Sequence, residues 1–348
     1  MEVKKVLVII FILISGTIHA QDALFTQFTA IPMYLNPGLT GSTLEYRASM
    51  ISRVQWPGAA TKPFFTNAIG FDYNNNNLNS GFGALITTDM AGESRYRSTT
   101  ANLLYSFRIA TKKGWIIRPG LNFGVGVRDI QFDNLVFGNQ LNLRGQNDQV
   151  ITDDTYVDAD ERVSYFDFGT GAVMYNQKVW FGGAIFHLNQ PNISMVEGDD
   201  QLPLRWTLHG GITFPLYNTM RKDKTIPELA PTFLYQNQGK FDQLDVGLYV
   251  YYASFQFGLW YRGLPVAEKE SAYSDALSFL FGYNSEQFDF SYSYDFITGD
   301  LRGNTGGAHE LSVRFKFYAN AKRKPRKSDY NDINKPPPFL KQSFDKKY

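Results

Sequence analysis

The chain contains no cysteine. That excludes a disulfide framework, a thiolate metal site, a cysteine nucleophile and a lipid anchor on a cysteine behind a signal peptide. Charge is scarce as well, 19% of residues against an ordinary ~25%. Its two signs nearly cancel, with 34 Lys+Arg against 33 Asp+Glu, and only four histidines are present. Long apolar runs are missing too. The one unbroken stretch is Val6–Ile14, far short of the ~20 residues of a spanning helix. With a mean hydropathy of −0.28, a helical membrane bundle is excluded. What remains abundant is aromatic: 29 Phe and 21 Tyr against 5 Trp, beside 30 Gly. A hydrophobic share of 43% is enough for a core and argues against wholesale disorder. The combination suits a β-protein of a Gram-negative outer membrane.

The two ends differ from the body. Residues 1–20 read as a secretory signal peptide. Lys4 and Lys5 form the positive region, Val6–Ile14 the apolar region, and Ser15–Ala20 the small-residue approach to cleavage before Gln21. From residue 319 to 348 the apolar alternation stops. That stretch carries nine Lys and Arg against three Asp, with a basic cluster at Lys322, Arg323, Lys324, Arg326 and Lys327. Such a tail buries too little apolar surface to fold alone. Two readings of it stay open: attraction to anionic lipid or peptidoglycan, and a docking segment for periplasmic proteins in which Pro336-Pro337-Pro338-Phe339-Leu340 is an extended recognition element.

Between the ends the sequence runs in period two. Phe288, Phe290, Tyr292, Tyr294 and Phe296 alternate with Asp289, Ser291, Ser293 and Asp295, which puts aromatics on one face of a strand and polar groups on the other. Leu311, Val313, Phe315 and Phe317 oppose Glu310, Ser312, Arg314 and Lys316, and Leu277, Phe279, Phe281 and Tyr283 oppose Ala276, Ser278, Leu280 and Gly282. Fourteen such segments are expected, at 44–55, 64–73, 81–89, 95–108, 115–128, 162–175, 178–188, 204–217, 227–237, 240–251, 254–263, 273–284, 287–296 and 308–318. Most have the ~9–11 residues of a tilted membrane strand. Linkers after even strands are short and those after odd strands mostly long, as in outer-membrane barrels. The expected fold is therefore all-β, a single 14-stranded antiparallel transmembrane β-barrel over 44–318, with an N-terminal arm at 21–43. Outer faces rich in Phe and Tyr would meet lipid, and Ser, Gln, Arg and Asp would line a polar lumen. The even strand count places both termini in the periplasm. A large secreted β-sandwich or a lipocalin-like barrel has the same periodicity with the apolar face turned inward.

Catalytic signatures are lacking. His187 and His209 fall on neighbouring expected strands, but no Gly-x-Ser-x-Gly elbow accompanies them, and no phosphate-binding glycine loop precedes a helix. Neither an enzyme nor a cofactor is expected. Asp153, Asp154, Asp158 and Asp160 crowd one long loop and are the best metal candidates. They lack the Asp-x-Asp-x-Asp-Gly turn of a calcium loop, so the plain reading is a solvated anionic loop and no metal is assigned. The basic tail cluster has no interleaved aromatics, so nucleic acid is not an expected partner. Asn36-Pro37-Gly38 reads as a turn that redirects the arm. His309 and Glu310 read as a His–carboxylate pair pinning the last outer loop.

Several short motifs resemble one family in order along residues 21–318. They are Gln21-Asp22-Ala23-Leu24-Phe25-Thr26-Gln27-Phe28, Pro32-Met33-Tyr34-Leu35-Asn36-Pro37-Gly38-Leu39-Thr40-Gly41, Arg53-Val54-Gln55-Trp56-Pro57, Asp89-Met90-Ala91-Gly92, Leu135-Val136-Phe137-Gly138-Asn139-Gln140-Leu141, Ser293-Tyr294-Asp295-Phe296 and Gly306-Gly307-Ala308-His309-Glu310-Leu311. The set is similar to that of the PorP/SprF family of type IX secretion system outer-membrane proteins. Ala23 stands where the family often has Pro, and Asn139 where Asp is usual. The resemblance implies a non-enzymatic outer-membrane component of secretion and gliding. Its implied partners are outer-membrane lipid, periplasmic secretion components, and a secreted surface adhesin bearing a family-specific C-terminal domain. The competing function from the residues alone is a passive channel or hydrophobic-solute transporter.

Overall fold

Alternation of side chains along each strand lets one sheet serve two environments, and the chain closes that sheet on itself. In the computed structural model the described residues are 22–43, 46–58, 62–92, 96–130, 141–142, 145–146, 162–195, 198–217, 226–264, 275–298 and 305–317. The expected signal peptide, the basic tail with Lys322, Arg323, Lys324, Arg326, Lys327 and Phe339, and the acidic cluster Asp153, Asp154, Asp158 and Asp160 lie outside them.

Fourteen long strands form the wall: β1 (Tyr46–Gln55), β2 (Phe64–Asn75), β3 (Ser80–Ala91), β4 (Tyr96–Phe107), β5 (Ile116–Asp129), β6 (Arg162–Tyr175), β7 (Val179–Phe186), β8 (Arg205–Ile212), β9 (Glu228–Gln238), β10 (Phe241–Tyr252), β11 (Phe255–Leu264), β12 (Ala276–Asn284), β13 (Phe288–Ile297) and β14 (Ala308–Phe317). Each pairs antiparallel with its neighbours in sequence, and β1 pairs with β14 from Tyr46↔Phe317 to Gln55↔Ala308. Among the described residues the fourteen strands leave no free edge in the wall, which pairs the ladder groups without water as a membrane interior requires. The two-residue strands Ile109–Ala110 and Phe214–Pro215 extend the wall beside β5 and β9. Thirteen expected segments agree with the observed strands to within a few residues. The segment at 204–217 is shorter, because Thr213 interrupts the ladder after Ile212.

Burial is inverted relative to a soluble barrel. Phe166 is 70% exposed, Leu103 68% and Phe315 58%, while Arg47, Arg118 and Glu310 are each 1% exposed. A sandwich or lipocalin would reverse this. Phe290 stands on the outer face and Asp289 and Ser293 on the inner one. Phe290→Arg is therefore expected to destabilise the barrel by about 2–4 kcal/mol if that position meets the bilayer midplane. Urea unfolding in lipid vesicles measures it, and an unchanged midpoint would place Phe290 away from lipid.

One expectation needs correction. The inner wall is not uniformly polar. Ile51, Leu85, Leu104, Ile116, Trp180, Leu234, Tyr249, Trp260 and Leu280 face inward and are buried, because residues 22–43 fill the lumen and cover them. The start of the arm and the end of β14 stand at opposite ends of the barrel. Tyr46 and Phe317 pair at one end of the barrel, whereas Asp22 bonds Gln238 and His187 at the other. Strand parity counts fourteen crossings, and the arm adds one more through the middle.

Candidate functional site

The lumen with its threaded arm is where polar and charged groups concentrate. The arm starts beside His187, at the end carrying the long linkers. It passes a four-residue helix α1 (Pro32–Leu35) and a 3-10 turn (Pro37–Leu39), and reaches Ser42 and Thr43 at the short-turn end. Pro32 and Pro37 open these two turns, where a missing N–H costs nothing. Apolar arm residues bind in two groups. Phe25, Ile31 and Met33 pack on Ile51, Ala68, Leu85 and Leu104. Phe28, Leu35 and Leu39 join Ile116, Trp180, Leu234 and Trp260. Burying each large side chain contributes roughly 1.5–3 kcal/mol.

Polar groups fix the register of the arm. Near its start, Glu310 on β14 accepts the Thr26 N–H at 2.7 Å and the Gln27 N–H at 2.9 Å. Arg53 on β1 pairs with Glu310 and, at 3.0 Å, with Asp295 on β13. Arg262 on β11 reaches Asp295 at 3.1 Å and donates to Thr26 Oγ1 at 2.6 Å. Thr26 Oγ1 in turn donates to Asp295. Each charge is buried and each has an opposite charge and further hydrogen bonds, the condition under which buried ions persist.

Midway, Arg314 donates to the carbonyls of Thr29 and Ala30 at 2.6 and 2.8 Å. Asn36 caps the 3-10 turn by accepting from Gly38 N–H at 2.8 Å. Its amide donates to the carbonyls of Ala172 and Gly183 and lies 3.0 Å from His209 Nε2. The expected turn at Asn36-Pro37-Gly38 thus exists, but it is a docking element held against β6, β7 and β8. Toward the far end, Arg118 donates to the carbonyls of Gly38 and Thr40. The Arg47–Asp72 pair, 2.5 Å between Nη2 and Oδ2, also holds the Gly41 N–H at 2.7 Å. Gly41 has φ +58, and its backbone presses on Gly81, an approach that side chains would forbid.

At the arm's start a charged latch closes. His187, at φ 60 just past β7, turns its ring inward. Its Nε2 lies 2.7 Å from Asp22 and its Nδ1 3.0 Å from Asp167. Arg205 meets Asp22 at 3.2 Å and donates to Tyr34 Oη at 3.1 Å. Burial opposes the charged imidazole, but the Asp22 charge and the bonds to both carboxylates outweigh it and raise the His187 pKa to about 9. Burial likewise opposes the Asp22 carboxylate, and His187 and Arg205 together hold its pKa well below the usual range. A raised folded pKa stabilises fully below the unfolded value near 6.5 and is lost as pH rises through about 9. The depressed Asp22 adds stability above its ordinary pKa that is lost only on acidification. Protection of the arm from hydrogen exchange is therefore expected to fall as pH rises from about 6.5 to about 9 and to level off above that, and His187→Ala should remove the step. A flat profile for the parent chain would show that the latch does not hold the arm.

Beside the latch lies a cavity of about 70 Å³, lined by Thr66, Thr87, Asp89, Ser98, Asn102 and Arg128 among others. It has room for a few waters and is a part of the lumen that the arm leaves unfilled. Among the described residues no group of three or more His, Asp or Glu could hold a metal ion. His187 and His209 both sit in the lumen wall but serve separate contacts. His309 and Glu310 do not form the expected pair. Alternation puts Glu310 inside on Arg53, while His309 lies outside on Tyr292 Oη at 2.7 Å and the Tyr294 ring. The last loop is pinned instead by Trp56 and Gly58, whose N–H groups donate to the carbonyls of Gly307 and Thr305.

Five of the seven short motifs, scattered over the sequence, meet here; residues 135–140 of another lie outside the described residues. Thr26-Gln27, Asn36-Pro37-Gly38, Arg53, Asp295 and Glu310 each come from a different motif and share the arm's bonds. No curated protein matches the chain. Among solved structures, the outer membrane protein Omp33 of Acinetobacter baumannii is similar at 9% identity and a TM-score of 0.42, covering 79% of this chain and 99% of that one. A Rhodopseudomonas blastica porin variant is similar at 10% identity and a TM-score of 0.33, covering 78% of this chain and 99% of that one. Residues 17–315 match the family described as type IX secretion system membrane protein PorP/SprF. With most of its length matched and five of its motifs gathered around one threaded arm, the chain belongs to the PorP/SprF family and is an outer-membrane β-barrel component of type IX secretion.

Proposed function

We propose that the protein supports secretion or surface anchoring of a partner adhesin, and gliding where the cell glides, through surfaces at its two mouths and without catalysis. Cargo does not pass through the lumen in this reading. The observation that supports it is the arm. Residues 22–43 occupy the barrel interior and bond to strands on every side, from Glu310 on β14 to Arg118 on β5. Long linkers cluster at one mouth, the face available to an adhesin with a family-specific C-terminal domain. The chain leaves β14 at the other mouth, so the basic tail is available to periplasmic secretion components. The competing reading, a passive channel or hydrophobic-solute transporter, needs an open path that the arm occupies.

Affinity purification from the native cell tests the proposal. The full chain is expected to bring down a secreted adhesin and periplasmic secretion components. A form lacking residues 319–348 should lose the periplasmic ones, and surface display should fall while barrel abundance stays unchanged. If neither form captures secretion components and planar-bilayer recordings show a steady open pore, the channel reading replaces this one.

A further inference from the structure

We infer that the two ends of the mature chain lie on opposite sides of the outer membrane, with the N-terminal end at the cell surface and the C-terminal tail in the periplasm. The contacts of the arm run in order along the barrel axis. Asp22 bonds Gln238, the last residue of β9, and meets His187 and Arg205, just past the end of β7 and at the start of β8. Thr26 lies on Arg53, Asp295 and Glu310, each two residues from the same rim. Asn36 reaches Ala172 and Gly183 deeper down. Thr40 accepts from Ser106 and Arg118 near the opposite rim, and Gly41 bonds Asp72 there. Asp22 therefore stands at the mouth formed by the linkers after odd strands. Those linkers include 130–161 and 187–204, far longer than the turns at the other rim such as 176–178, 253–254 and 285–287. In outer-membrane barrels the long loops are extracellular and the short turns periplasmic. The latch of Asp22, His187, Asp167 and Arg205 then anchors the arm just inside the surface mouth. A chain exported to the periplasm thereby returns its own first residues through the barrel it builds.

The absence of cysteine makes the test direct, because one introduced thiol is unique. On intact cells a membrane-impermeant maleimide is expected to label a cysteine inserted between Gln21 and Asp22 and to leave Asn320→Cys unlabelled until the outer membrane is permeabilised. Crowding at the mouth slows the reaction of a thiol close to the wall. A second variant therefore carries an epitope inserted between Ala20 and Gln21, read by antibody binding and by an added protease on intact cells. Antibody or maleimide access on intact cells, with the tail shielded, supports the inference. If thiol and epitope both stay hidden until permeabilisation, or if the tail is labelled on intact cells, the inference is overturned. Neither result depends on an adhesin, so the outcome is separate from that of the secretion reading.

Discussion

Replacing Gly120 by valine is expected to turn a closed barrel into a conducting one. Gly120 faces the lumen from β5, where a Cβ would lie 2.4 Å from the Gly38 nitrogen and 2.4 Å from the Pro37 carbonyl carbon. Both neighbours are backbone, so no side chain can rotate away. Valine suits a strand, and Gly120 pairs normally with Ser106 and Gly171. The strain therefore falls on the arm, not the wall. Lifting the Pro37–Leu39 turn also removes the bonds that Arg118 makes to Gly38 and Thr40. Planar-bilayer conductance should rise by about an order of magnitude or more over the parent protein, as for a barrel with a water-filled lumen. Heat-modifiable gel mobility should persist. Gly38→Val, whose Cβ would sit 2.4 Å from the Arg118 carbonyl oxygen, should give the same phenotype from the other side of the contact. A folded but silent Gly120→Val barrel would show that the arm is not what closes it.

The largest loss of stability is expected at Glu310. Alanine there strips two N–H groups of the arm of their acceptor and removes one of the two carboxylates that face Arg53. Breaking a buried ion pair from one side costs about 3–5 kcal/mol, since the remaining charge stays desolvated. Equilibrium urea unfolding in vesicles should show a drop of that size. Glu310→Gln should lose less, because its amide oxygen still accepts from Thr26 or Gln27. His309→Ala, one residue away on the outer face, serves as the comparison. Equal effects at 309 and 310 would mean that the network is not holding the arm.

The wall was legible in the sequence because a strand's period of two acts locally. Each segment between Tyr46 and Phe317 declares its own facing, and strict alternation at 288–296 needs no knowledge of partners. The filling of the lumen was not legible in that way. Thr26 and Glu310 are 284 residues apart, and nothing near either one names the other. Local turn chemistry at Asn36-Pro37-Gly38 was read correctly, yet it said nothing about where the turn would dock. A signal was nevertheless present. Leu280 stands among Ala276, Ser278 and Gly282 on the inward face, and Trp260 and Ile51 share that facing. Large apolar groups have no place against a water-filled pore, so inward Leu and Trp mark a lumen that something must cover. The His309–Glu310 pairing failed because adjacent residues on a strand point to opposite faces.

The Thr26–Glu310 contact also sets the order in which this chain can assemble. Closing a loop of 284 residues costs roughly 5 kcal/mol on logarithmic length scaling alone, and a somewhat shorter loop, between Tyr46 and Phe317, is closed where β1 meets β14. The earliest-synthesised part of the mature chain thus depends on the last strand for its most strongly bonded neighbours. Folding with so high a contact order is slow, and a seam that zipped early would shut the segment out. The arm has to lie in the curling sheet before β14 arrives, so enclosure of residues 22–43 and closure of the wall become a single cooperative event.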